Sequence, residues 1–76
     1  KSVATIGYAI RRRVRNVAAA SPGAGGIVVR AHPAVAAFLC EDESVAMDLL
    51  EREIERRVTV EPFEAPDHGR FEVQAA

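Results

Sequence analysis

The stretch IVVRAHP, residues 27–33, decides the fold of this 76-residue chain. Its first three residues, Ile27-Val28-Val29, form a β-branched run between turn signals, and the continuous apolarity predicts a strand covered on both faces or nearly so. His32-Pro33 ends the strand. A proline suits the first turn of a helix, because its missing N–H would be unpaired there, so a short helix is predicted over Ala34–Leu39.

A second helix is predicted directly after the first, from about Glu43 to Arg56. Apolar residues recur there at helical spacing and are expected to form its buried stripe: Ala46, Leu49, Leu50 and Ile54. Two pairs of opposite charge have the i,i+4 spacing that favours ion pairs along a helix, namely Asp48 with Arg52 and Glu53 with Arg57.

Two further strands are predicted in the last twenty residues. Val58-Thr59-Val60-Glu61 alternates with period two and ends at Pro62, and Phe71–Ala75 alternates in the same way. The loop between them ends in Asp67-His68-Gly69, a turn signal that is consistent with an antiparallel connection. Because two helices separate the first strand from the second, that pair is predicted to be parallel with a right-handed connection.

The chain begins with an amphipathic helix, predicted from Ser2, a plausible N-cap, to Ala19. Its apolar stripe has spacings of three and four: Val3, Ile6, Ile10, Val14 and Val17. Gly7 either serves a close approach in packing or weakens the start of this helix. The glycine-rich loop of residues 21–26 ends it and is expected to be flexible and exposed.

Together these elements predict one small α/β (α+β) domain over residues 1–76. Their order is α-β-α-α-β-β, with a three-stranded mixed sheet covered by helices on one face. The chain begins at Lys1 rather than Met, in helix-like sequence, so we expect a fragment of a larger protein.

Charge is distributed unevenly along the chain. The first forty residues carry Lys1 and five arginines, whereas all 11 Asp and Glu residues lie at or after Glu41. A chain of this kind can pair its own halves, pair with a copy of itself, or present its basic end to an anion.

Size and composition also favour a partner. A domain of this length buries only about 60% of its unfolded surface, and this one is rich in alanine and lacks tryptophan. We therefore expect self-association or docking onto the rest of a parent chain. Cys40 is the only cysteine, which excludes an internal disulfide and suits a reducing cytoplasm; we expect it to be a small buried residue. No apolar run reaches the ~18–20 residues that span a bilayer, so no membrane partner is expected.

The basic helix offers a candidate RNA-binding face. Arg11, Arg12 and Arg15 are predicted to lie opposite the apolar stripe, where they could follow a phosphate backbone or simply be solvated. Arg13 lies nearer the stripe and is expected to reach an acid of the C-terminal half. Tyr8 is placed closer to the apolar side. Residues 23–26 match the GxxG loop of nucleotide-clamping KH modules, but they precede a strand and carry no basic residue.

Neither a catalytic nor a metal site is predicted. His32, His68 and Cys40 are scattered without the spacing that places metal ligands together. Instead, His32 is expected to cap the following helix or end the strand, and His68 to lie in a turn. Glu41-Asp42-Glu43 is expected at a helix N-terminus, where the macrodipole favours acids.

The chain resembles the C-terminal small domain of the ribonuclease E/G family. The segments that carry the likeness cover nearly the whole chain: residues 2–10 with their arginine-rich continuation, Val28-Val29, His32 to Ala36, Glu43-Ser44, Val60-Glu61-Pro62 and Phe71-Glu72-Val73. Members of the family usually include acids in the first helix, commonly near Ala9, and this helix has none.

The resemblance implies the C-terminal fragment of a larger protein, a magnesium-dependent endoribonuclease that cuts single-stranded RNA in RNA processing and decay. The catalytic aspartates of the family lie upstream of this domain, as does a zinc link between protomers in the fuller members, so no cofactor is implied for the fragment itself. The small domain of the family takes part mainly in association between protomers. We therefore expect a cytoplasmic, non-catalytic assembly domain; the alternative is an auxiliary RNA-binding module that uses the basic helix.

Overall fold

The computed structural model describes residues 2–76, so Lys1 lies outside the described residues. Helices and strands follow the predicted order, α-β-α-α-β-β, and form a small α+β fold. In chain order they are α1 (Val3–Ala20), β1 (Ile27–Ala31), α2 (Pro33–Cys40), α3 (Ser44–Ile54), β2 (Val58–Pro62) and β3 (Phe71–Ala75).

The sheet has the strand order β2-β1-β3, with β1 at its centre. β1 is parallel to β2, with Ile27 opposite Val58, which confirms the predicted parallel pair. β3 runs antiparallel to β1, with Ile27 opposite Ala75. The turn before β3 therefore does reverse the chain relative to β2, but it forms no hairpin, because β3 lies on the other side of β1.

The helices cover one face of this sheet. Ile27, Val29 and Ala31 of β1 are fully buried in a core shared with α1, α2 and α3. The prediction that β1 is covered on both faces is wrong: Val28 is half-buried and Arg30 is exposed. A continuous apolar run is explained instead by the central position of β1, which has a neighbouring strand on each side and helices on one face.

α1 has the predicted cap and the predicted stripe. The Ser2 hydroxyl accepts a hydrogen bond from the Thr5 N–H at 3.1 Å, which satisfies one of the free donors of the first turn. The predicted stripe faces the core, with Ile6, Ile10 and Val14 buried. Val3 and Val17 pack partly buried at its two ends.

Gly7 marks a close approach between α1 and α2. A β-carbon at this position would lie 3.3 Å from the Phe38 ring and 3.5 Å from the Leu39 side chain. Of the two roles considered for Gly7, packing is therefore the one that the structure supports.

The buried stripe of α3 differs from the predicted one at Leu49: Leu50 is buried, Ile54 packs against the core and Ala46 is half-buried, as predicted, but Met47 takes the place of Leu49. Met47 and Leu50 are buried, whereas Leu49 is 58% exposed. Leu49 follows Met47 by two residues, about 200° around the helix, so both side chains cannot face the core. Val45 is also exposed and lies one turn before Leu49, which leaves an exposed apolar pair on α3.

Two other side-chain predictions need correction. Cys40 is exposed at the end of α2, because the helix buries Val35, Ala36 and Leu39 and turns its last residue outward. Within residues 2–76, neither predicted i,i+4 ion pair of α3 forms; Glu53 instead pairs with Arg15 of α1. None of the helices in this part of the chain combines the length and apolarity needed to cross a bilayer.

Candidate functional site

The basic face of α1 meets the acids of α3. Arg11 donates from its guanidinium to the Glu43 carboxylate, and both side chains are partly buried. Glu43 is the N-cap residue of α3, so this ion pair ties the middle of α1 to the start of α3. Partial burial of both side chains shields the pair in part from solvent.

A second ion pair joins the same two helices. Arg15 Nε donates to Glu53 Oε2 at 2.9 Å, and this pair is more exposed than the first. Arg12 is exposed on the outer side of α1. Of the three candidate RNA-binding arginines, two are therefore engaged with carboxylates of the same molecule, and Arg12 faces solvent.

Tyr8 lies on the exposed side of α1, not near the apolar stripe. Its side chain is 55% exposed. Tyr8 and Arg12 are four residues apart, which places them one turn apart on the same outward face. The sequence does indicate this placement, because Tyr8 is two residues from both Ile6 and Ile10. That spacing places Tyr8 about 160–200° around the helix axis from the two buried isoleucines.

Arg13 contacts an aromatic ring and not the expected acid. Its guanidinium carbon lies 5.6 Å from the centre of the Phe71 ring, within the range of a cation–π contact. Phe71 opens β3, so this contact connects α1 with the C-terminal strand. The expectation that Arg13 reaches the C-terminal half is confirmed, but its partner there is apolar.

The two histidines come together at one end of the sheet. His32 caps α2, as predicted, because its Nδ1 accepts the Ala34 N–H at 3.0 Å. His68 lies in the predicted turn, and its ring centre is 4.0 Å from that of His32 at an angle of 50°. Across the described range 2–76, no group of three or more His, Cys, Asp or Glu side chains could hold a metal ion.

Arg56 has a structural role that the sequence pattern did not indicate. It is only 8% exposed and lies two residues after the end of α3. Its Nε donates to the Gly25 carbonyl, and its Nη1 donates to the carbonyls of Ser21 and Ala18. The guanidinium thus binds the C-terminus of α1 and the glycine-rich loop, a position where a cation complements the helix dipole. No local signal distinguishes Arg56 from its exposed neighbour Arg57.

The outer face of the sheet is polar. Arg30, at the centre, lies between Glu61 of β2 and Glu72 of β3 in the strand register. Arg30 Nε donates to Glu61 Oε1 at 3.2 Å. The neighbouring row on this face has Val28 between Thr59 and Gln74. A surface of this composition tolerates water and carries both charges.

No protein-family model matches this chain, and no curated protein matches it.

Proposed function

We propose that this chain is a non-catalytic assembly domain of a ribonuclease E/G-like endoribonuclease that acts in RNA processing and decay. The resemblance of the sequence to the small domain of that family motivates the proposal. In this proposal the parent protein is cytoplasmic and supplies the magnesium-dependent nuclease activity, a zinc link if it has one, and the main contacts with RNA. The domain associates with a second copy or docks onto the rest of its parent.

The observation that carries the proposal is the pairing of α1 with α3 through Arg11–Glu43 and Arg15–Glu53. Much of the charge asymmetry of the sequence is thereby balanced within one molecule. The exposed surfaces outside these ion pairs include the outer face of the sheet, the edge of the sheet at β3 and the exposed apolar pair of α3. Such surfaces suit contacts between proteins better than a continuous contact with a phosphate backbone.

Analytical ultracentrifugation at several protein and salt concentrations tests this function. We expect the sedimentation coefficient to rise with protein concentration as dimers or larger assemblies form. A strict monomer at high micromolar concentration would exclude self-assembly by this chain. Docking would then be tested by co-purification with the separately expressed remainder of the parent.

One observation favours the alternative of an auxiliary RNA-binding module. Tyr8 and Arg12 present an aromatic ring and a cation one turn apart on an exposed face, a combination that can stack a base and contact a phosphate. Arg15, held by Glu53, would have to exchange that partner for RNA.

Fluorescence anisotropy with a short single-stranded RNA tests this alternative. Binding should weaken steeply with salt and fall on Arg12→Ala or Tyr8→Ala, whereas Glu53→Gln should strengthen it by releasing Arg15. Arg52→Ala, which removes an exposed arginine from α3, is the matched control and should have little effect. Absence of binding at low salt would exclude the module.

A further inference from the structure

The two edges of the sheet differ in whether their backbone groups have partners. On β2, alternate residues bond to β1, as shown by the hydrogen bonds from Ile27 N–H to the Arg57 carbonyl and from Phe63 N–H to the Ala31 carbonyl. The backbone N–H and C=O groups of the residues between them, 58, 60 and 62, therefore point away from β1, toward the open side of the sheet. Their edge is largely closed to another strand.

Two features close the β2 edge. The outward N–H of Val58 donates to Glu51 Oε2 at 2.6 Å, so a carboxylate of α3 occupies this donor. Pro62 has no N–H to offer. Of the outward donors of β2, the one at residue 60 is left, which is too little for a continuous ladder.

The β3 edge is open. The Ala76 N–H donates to the Gly26 carbonyl at 2.7 Å, so the backbone N–H and C=O groups of residues 72, 74 and 76 point toward β1. Phe71, Val73 and Ala75 therefore direct their N–H and C=O groups away from the sheet. Within residues 2–76 these groups have no hydrogen-bond partner, and the strand contains no proline. An edge of this kind is a template for an added strand.

We propose that β3 pairs antiparallel with β3 of a second copy of this chain, about a two-fold axis at Val73. The inference rests on the proposed assembly function and names the surface and the partner. Val73 then lies opposite Val73 of the second copy, and Phe71 lies opposite Ala75 of the second copy. Every outward N–H and C=O of the two strands gains a partner, and the three-stranded sheets join into one of six strands.

The side chains of β3 favour this register over its neighbours. Moving the axis to residue 72 would place Glu72 opposite Glu72 of the second copy, and like charges directly opposite each other are destabilising. Moving it to residue 74 would leave the outward groups of Phe71 without partners. With the axis at Val73, each Glu72 lies opposite Gln74 of the second copy, a pair without charge repulsion.

This self-complementarity is the reason for choosing a second copy as the partner. When two copies of Phe71–Ala75 run antiparallel side by side, apolar residues lie opposite apolar residues on the helix-covered face. On the outer face it matches a carboxylate with an amide. A strand from a different protein would have to reproduce this pattern, whereas a second copy has it by symmetry.

Charge variants at Gln74 test the register. Gln74→Glu places carboxylates opposite each other twice per dimer and should raise the dimer Kd about three- to ten-fold, whereas Gln74→Lys should lower it by a similar factor. The matched control is Thr59→Glu, because Thr59 flanks Val28 on the outer face from the β2 side as Gln74 does from the β3 side. That variant should leave the Kd unchanged.

Backbone variants test the edge. Val73→Pro removes the central outward N–H of β3, and Val60→Pro removes its counterpart on β2; both valines are half-buried. We expect dimer formation to be lost in the first and retained in the second, with circular dichroism reporting that each variant folds. Amide exchange in the unaltered chain needs no variant: the amides of Val73 and Ala75 should exchange more slowly as concentration rises, and that of Val60 should not.

The outcomes separate this inference from the function on which it rests. A dimer whose Val73 and Ala75 amides exchange at the same rate as in the monomer overturns edge pairing but leaves assembly through another surface. A dimer that Gln74→Glu and Gln74→Lys shift equally overturns the register. A strict monomer at all concentrations overturns both the edge pairing and self-assembly.

Discussion

Arg56 donates a hydrogen bond from its Nη1 to the backbone carbonyl of Ser21, although 35 residues separate the two along the chain. This contact, with those to Ala18 and Gly25, joins the end of α3 to the end of α1. A buried cation without a carboxylate partner is costly unless its donors are satisfied, and here backbone carbonyls satisfy them. The glycine-rich loop is therefore held in place by Arg56, a residue that lies outside the loop.

Replacement of Arg56 should therefore destabilise the fold. Arg56→Leu removes the donors from these carbonyls and should lower the free energy of unfolding by about 2–3 kcal/mol. Arg56→Lys keeps the charge but not the several N–H donors of the guanidinium, and we expect it to lower the free energy of unfolding by a smaller amount than Arg56→Leu. Urea denaturation followed by circular dichroism measures both. Arg57→Leu is the control and should change stability by less than about 0.5 kcal/mol, as is usual at exposed positions.

The contact between Gly7 and Phe38 should appear as energetic coupling. Gly7→Ala would add about 1 kcal/mol of helix propensity, but its β-carbon would press on the Phe38 ring. We expect no net gain in the unaltered chain and a gain of about 1 kcal/mol in a Phe38→Ala background. Equal effects in the two backgrounds, measured by thermal or urea unfolding, would show that the ring does not constrain Gly7.

The two ion pairs between α1 and α3 should differ in strength because they differ in exposure. The Arg11 side chain is 17% exposed, whereas that of Arg15 is 42% exposed. We expect about 1–2 kcal/mol for Arg11–Glu43 and less than about 1 kcal/mol for Arg15–Glu53. Double-mutant cycles to glutamine isolate these energies, and only the second should fall markedly at high salt. The reverse order would contradict the burial argument.

The N-cap at His32 should contribute to the stability of α2. His32→Ala removes the acceptor of the Ala34 N–H and should cost about 1 kcal/mol, whereas His32→Asn should retain most of the stability, since asparagine is a good N-cap residue. His68→Ala removes the neighbouring ring without removing the cap and serves as the control. If His68→Ala costs as much as His32→Ala, the ring contact and not the cap is the important interaction.

Local sequence signals were sufficient for the elements themselves. The Ser2 cap, the proline after His32 and the alternation of β2 and β3 each act within a few residues, so their effect can be read from the chain. The α1 stripe was also predictable, because five apolar residues define one face. The α3 stripe was predicted correctly at Leu50 and Ile54 but not at Leu49, because Met47 and Leu49 are both apolar and only packing decides which one faces the core.

The candidate arginines illustrate the same division. Their shared position on α1 follows from helical spacing, but the partners of Arg11 and Arg15 depend on how α3 crosses α1. The exposure of Cys40 likewise depends on which face of a short helix is covered. No periodicity in the sequence carries that information.

The sequence by itself determined the kinds of elements, their order and the parallel pairing of β1 with β2, because caps, turns and periodicity act over short distances and a two-helix crossover constrains the strand direction. Only the tertiary structure decided that β1 is central and that Arg56 binds the glycine-rich loop between α1 and β1. It also decided that the β2 edge is blocked while the β3 edge is open. These features depend on contacts between distant parts of the chain, such as the hydrogen bond from Arg56 to the carbonyl of Gly25, 31 residues earlier, and on hydrogen bonds between strands. Such contacts form only when the whole core places the elements together.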